Sequence, residues 1–151
     1  MVSPKERTRP SIEQLLRHGG IVLRRDFRRY ELNGKEISHE EYEDTWNELL
    51  FYLDKNCERV DEYSYEPFEE QPRYVGMYNC PAVGKVGVFE VHGDGFDVFR
   101  VYVGDRAWKH AKNAAVDDIE STIELLQGIE GTEKIEEELR NDLKNIKYMP
   151  G

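Results

Sequence analysis

Two runs of alternating Val, Phe and charged residues, joined through Asp-Gly in VFEVHGDGFDVFRVYV (88–103), commit this part of the chain to an antiparallel hairpin. Period two places Val88, Glu90 and His92 on one face of the first strand, with Phe89 and Val91 on the other. In the second strand Asp97, Phe99, Val101 and Val103 share a face, and Phe96, Val98, Arg100 and Tyr102 share its opposite. Neither face is polar throughout, so the hairpin belongs inside a sheet covered on both sides. Two closures fit the glycines. A two-residue Asp94-Gly95 turn sets His92 opposite Asp97; a three-residue Gly93-Asp94-Gly95 loop sets His92 opposite Phe96 and Glu90 diagonal to Arg100.

The same tip raises a question of chemistry. His92 acting as a general base would need a nucleophile at hand, and no Ser or Cys is near in sequence. Glu90, His92, Asp94 and Asp97 acting as metal ligands would need a fixed spacing that a hairpin tip does not offer. The reading adopted is a turn flanked by an ion pair. His18, His39 and His110 are read as surface or capping residues, since none has a second ligand four residues on. HEEYE (39–43) lacks the closing His of a zinc-protease helix, and GKVG and GDGFD match neither a phosphate loop nor a dinucleotide fingerprint. No catalytic residue, metal ligand or cofactor is expected.

The remaining elements follow from caps and periods. SIEQLLRHGG is a short helix with Ser11 and Gln14 as a capping box and Gly19 as its left-handed stop. GIVLRRDFRRYEL reads as one strand, followed by a tight hairpin at Asn33-Gly34. SHEEYEDTWNELLFYLDKN is the clearest helix: Ser38 and Glu41 form a capping box, and Tyr42, Trp46, Leu49, Leu50 and Leu53 fall on one side. Residues 57–72 have no stable period and read as a long loop. RYVGMY and KVGVFEVH are strands. A long helix from Asp105 to about Gln127 buries Trp108, Ala111, Ala115, Ile119, Ile123 and Leu126. Thr132 opens a last helix with Ile135, Leu139, Leu143 and Ile146 aligned. The expected architecture is α+β over a single domain, 1–151. It is a mainly antiparallel sheet of about five strands, packed by a short N-terminal helix, a middle helix and two C-terminal helices.

Function must be sought in charge, because no enzyme motif stands out. The net charge is −10, unevenly spread. Residues 1–30 hold eight basic and three acidic side chains, including a basic N-terminal arm at 1–10, whereas residues 31–80 hold four basic and fourteen acidic. Such polarity suits self-complementary assembly or a strongly charged partner. Cys57 and Cys80 lie far apart without CxxC spacing, so free thiols and a cytoplasmic protein are expected. No apolar run approaches the length of a membrane helix, and MVSPKERTRP has no signal-peptide core.

Two surfaces are candidates. In DEYSYEPFEEQP, Asp61, Glu62, Glu66, Glu69 and Glu70 surround Tyr63, Tyr65 and Phe68; acids steer a basic partner and rings anchor it. In RRDFRRY, Arg24, Arg25, Arg28 and Arg29 interleave with Phe27 and Tyr30, the composition of a single-strand nucleic-acid surface. Period two splits those arginines between both faces, and the acidic remainder repels phosphate, so they are read as an edge strand pairing with Glu. The expectation is a non-catalytic acidic protein that binds and inhibits, or assembles with, a basic protein or a nucleic-acid-handling complex. In composition it is similar to immunity, anti-defence and DNA-mimic proteins. The alternatives are a structural subunit of a larger assembly such as a virion, a homo-oligomer held by opposite charges, and nucleic-acid binding through residues 24–29.

Overall fold

The computed structural model describes residues 11–27, 29–60, 73–93 and 96–147. They form an α+β arrangement in chain order: α1 (Ile12–Arg17), β1 (Ile21–Arg25), β2 (Tyr30–Leu32), β3 (Lys35–Ile37), α2 (His39–Asn56), β4 (Glu58–Arg59), β5 (Arg73–Cys80), β6 (Gly84–Gly93), β7 (Phe96–Val103), α3 (Ala107–Leu126) and α4 (Glu133–Lys147). The strands make one sheet of order β3-β2-β1-β7-β6-β5-β4, with every neighbouring pair antiparallel. Seven strands stand where about five were expected, for two physical reasons.

The first is that 20–32 is a hairpin, not one strand. β1 turns back on itself so that Arg25 pairs with Tyr30. Asp26 makes the turn: its N–H donates to the Arg29 carbonyl at 3.0 Å, and its Oδ1 accepts from the Arg29 N–H at 3.0 Å. An Asx-type turn of this kind needs neither Gly nor Pro. The second is β4, whose two residues pair with Tyr78 and Asn79 and shorten the expected loop at its start. The Asn33-Gly34 hairpin forms as read, with φ of 50° and 83° at the two positions.

The sheet is covered on both faces, and alternation decides what goes where. Leu23, Val86, Val88, Phe99 and Val101 point to one side and are buried with Leu16 of α1 and Tyr42, Leu49 and Leu53 of α2. Val75, Met77, Phe89 and Val91 point to the other and are buried under Ala111, Ala115, Ile119 and Ile123 of α3, with Leu139 and Ile146 of α4. α3 lies close to the sheet because its inner face is alanine and β6 has Gly87 beneath it. A Cβ on Gly87 would meet the Ala107 carbonyl oxygen and approach the Ala111 Cβ to 2.9 Å. The start of β5 is tied to the same helix by Arg73, whose Nε donates to Asp118 Oδ2 at 2.7 Å and whose side chain also donates to Thr122 Oγ1 at 3.1 Å.

Candidate functional site

The β6–β7 pairing runs to Gly93 and Phe96 and sets His92 opposite Asp97, the register of the two-residue closure; residues 94 and 95 lie outside the described residues. His92 is gripped from two sides. Its Nδ1 lies 2.9 Å from Asp97 Oδ1 and its Nε2 3.2 Å from Glu90 Oε1. Arg25 of β1 reaches the second oxygen of Asp97 at 2.8 Å. The Trp46 indole of α2 stands edge-on to His92, centroids 5.6 Å apart, and to Phe99 at 4.8 Å. Hydrogen bonding to Glu90 raises the His92 pKa above 6.5, burial opposes this, and Asp97 adds to the rise. Burial, then the negative charge of Asp97, pushes the nearby Tyr42 phenol up to about 12.

This cluster lies beside a hollow of about 490 Å³ lined by Tyr42, Glu43, Trp46, Asn47, His92 and Asp97. With both ring nitrogens facing carboxylates, His92 offers no lone pair to a substrate proton. Two acids and two cations balance when His92 is protonated, and the resulting ion cluster joins β1, β6 and β7. Among the described residues no group of three His, Cys, Asp or Glu is placed to hold a metal ion.

α2 presents a different kind of surface. It carries six acids, Glu40, Glu41, Glu43, Asp44, Glu48 and Asp54, against one Lys. Its buried stripe is Tyr42, Thr45, Leu49 and Leu53. Leu50, expected on that stripe, is 42% exposed, and its neighbour Phe51 is 64% exposed. Residues at helical spacing from them, Glu40, Glu43, Asn47 and Asp54, are also exposed. The leucine and the ring therefore stand exposed, with Asp54 one turn from both, Lys55 one turn from Phe51 and Glu43 two turns from Leu50. A hollow of about 290 Å³ opens beside them, lined by Leu50, Leu53, Asp54, Cys57, Arg59 and Tyr78.

That hollow contains a correction. Cys57 and Cys80 are not free thiols but a disulfide, with Cα atoms 4.2 Å apart. β4 makes the pairing possible: with Glu58 opposite Asn79, the next residues outward are the two cysteines. A separation of 23 residues concealed the pairing, because the strand that aligns them is two residues long. With the two thiols joined, the free-thiol ground for a cytoplasmic protein does not hold. No helix among the described residues is long and apolar enough to cross a membrane.

The expected partner-binding residues Asp61, Glu62, Tyr63, Tyr65, Glu66, Phe68, Glu69 and Glu70 lie outside the described residues, as do Arg28 and the arm at 1–10. The other arginines do not form one strand. Arg25 is held by Asp97, Arg29 lies past the turn with Glu31 Oε1 at 3.6 Å, and Arg24 is exposed on β1 with no ion-pair partner among the described residues. Phe27, at the turn, is 85% exposed. The outer face of α2 was missed by sequence reading, although Phe51 is an aromatic residue off the buried stripe and that was its signal. The chain matches no protein-family model, no curated protein and no solved structure.

Proposed function

We propose that the protein is a non-catalytic binding protein whose outer α2 face docks a basic macromolecular partner. The observation that carries this reading is the exposure of Leu50, which lines a hollow, and of its neighbour Phe51, on a helix that also exposes Glu40, Glu43 and Asp54. Isolated exposed apolar residues are ordinary on protein surfaces. Two adjacent ones beside a hollow, on a helix that carries six acids against one Lys, have the composition of a docking surface. The carboxylates steer a cationic partner and the leucine and ring hold it. The acids and rings at 61–70, which follow β4 in the chain, repeat this composition.

A non-catalytic role is favoured by the way both nitrogens of His92 are engaged. A protein partner is favoured over nucleic acid because Arg25 and Arg29 already face carboxylates of their own chain. Inhibition of the partner, as by an immunity or DNA-mimic protein, is the form of binding that the acidic composition suits.

The test is kinetic, with an Arg-rich peptide carrying one Phe as the probe. Glu43→Lys with Asp54→Lys slows association and flattens its salt dependence, while Phe51→Ala leaves association unchanged and speeds dissociation roughly tenfold. Wild-type rates in both variants would overturn the proposal.

A further inference from the structure

A further hollow, of about 500 Å³, lies across the sheet from α2, between β7 and the flank of α3. Alternation along β7 turns Val98, Arg100 and Tyr102 to this side, and Phe89 and Val91 of β6 continue its apolar floor. His110, Asn113, Asp117 and Ser121 recur at helical spacing on α3 and form a polar wall above that floor. An apolar floor with a few convergent polar groups is the usual make-up of a small-molecule site.

Four chargeable side chains line the hollow. Asp118 is already neutralised, accepting from Arg73 Nε at 2.7 Å, and the His110 ring lies against that of Tyr102 with centroids 5.7 Å apart. Arg100 and Asp117 differ from these. Neither makes an ion pair or a side-chain hydrogen bond among the described residues, with each other or with any neighbour. A half-buried guanidinium on β7 and a carboxylate on α3 thus face one cavity, each without a counter-charge.

That pair of charges selects the ligand. A phosphate dianion would gain Arg100 but sit against Asp117, and an organic cation would gain Asp117 but sit against Arg100. A neutral apolar molecule would take water from both charges and pair neither. A zwitterion with an apolar body meets every feature. Its carboxylate takes the guanidinium fork, its ammonium takes Asp117, and its side chain lies on Phe89, Val91 and Val98. We infer that this hollow binds an apolar amino acid, free or as a dipeptide, through Arg100 and Asp117. The site lies on the opposite sheet face from α2 and does not depend on that face docking a partner.

Amide-resolved NMR titration of the full chain tests the inference, with L-phenylalanine and the dipeptide Phe-Leu as probes. At least one of them saturates shift changes at Arg100, Tyr102, Asn113 and Asp117 below about 10 mM. Removing either charge from phenylalanine, as in 3-phenylpropanoate and phenethylamine, weakens binding roughly tenfold or more. Asp117→Asn weakens phenylalanine by a similar factor and leaves 3-phenylpropanoate unchanged, whereas Arg100→Gln weakens both. The comparison of probes on the wild-type chain needs no variant, so it decides the matter even where a variant does not fold. No shift changes with either probe, 3-phenylpropanoate or phenethylamine binding as tightly as phenylalanine, or inorganic phosphate giving the same changes overturns the inference.

Discussion

Asp97 stands directly across the β6–β7 ladder from His92, its Oδ1 2.9 Å from Nδ1, and it shares its other oxygen with Arg25. The His92 pKa is raised above 6.5, so the imidazolium is favoured in the folded chain. Its contribution to stability is complete below the ordinary pKa and is lost as pH rises through the raised one. The charged and titratable groups around it are Glu90, Asp97, Arg25 and the Tyr42 phenol. With the side chain 42% exposed, solvent screening limits the effect to about 1 kcal/mol or less. The melting temperature should therefore fall modestly from pH 6 to 9, and His92→Gln should remove that part of the slope. An identical slope in the variant would dismiss His92 as its source.

The disulfide gives a second expectation. Closing a loop over a separation of 23 residues restricts the unfolded chain, which in the loop-entropy description is worth about 3 kcal/mol. Reduction, or Cys57→Ser with Cys80→Ser, should lower the melting temperature by roughly 6–12 °C at this chain length. Intact mass after alkylation without reductant should show no added groups. Two alkylated cysteines in the native protein would contradict the bond.

Gly87 provides a test of the packing that is separate from the docking surface. A Cβ there presses on the Ala107 carbonyl and Ala111, and that helix backbone cannot yield as a side-chain end could. Gly87→Ala should cost about 1–3 kcal/mol in chemical denaturation. Peptide binding per folded molecule should be unchanged, because α3 covers the sheet face opposite α2. A silent Gly87→Ala would mean that α3 stands further from β6.

What the sequence disclosed depended on whether an element announces itself locally. α2 did, through Ser38 and its buried stripe; the N–H of Glu41 donates to Ser38 Oγ at 3.1 Å, one of the two bonds of the expected capping box. The β6–β7 faces were legible because period two persists over both strands. The break at Asp26 was not, since alternation continues through RRDFRRY and the turn is made by one carboxylate accepting one N–H. β4 is too short to have a period, so neither it nor the disulfide it aligns could be read. The candidate site was half legible: an acidic and aromatic composition was recognised at 61–70, but Leu50 was assigned to the core. Only the orientation of α2 on the sheet decides that this residue faces water.

Residues 61–70 repeat the α2 composition and should divide its labour. Reversing Glu66, Glu69 and Glu70 to Lys should slow association of a basic peptide with little effect on melting. Tyr65→Ala or Phe68→Ala should act through faster dissociation, by roughly 2 kcal/mol where the ring is a desolvated anchor. Lower melting temperature with unchanged affinity per folded molecule would place these rings in the chain's own packing.

The most direct measurement is an amide-resolved NMR titration of the full chain with the Arg-rich, Phe-bearing peptide. A docking surface on α2 predicts that the largest shift changes fall at Glu43, Asn47, Leu50, Phe51 and Asp54, with those of α3 and α4 nearly still. Changes centred instead on the hollow of Arg100, His110 and Asp117 beside α3, or no changes at all, would contradict it.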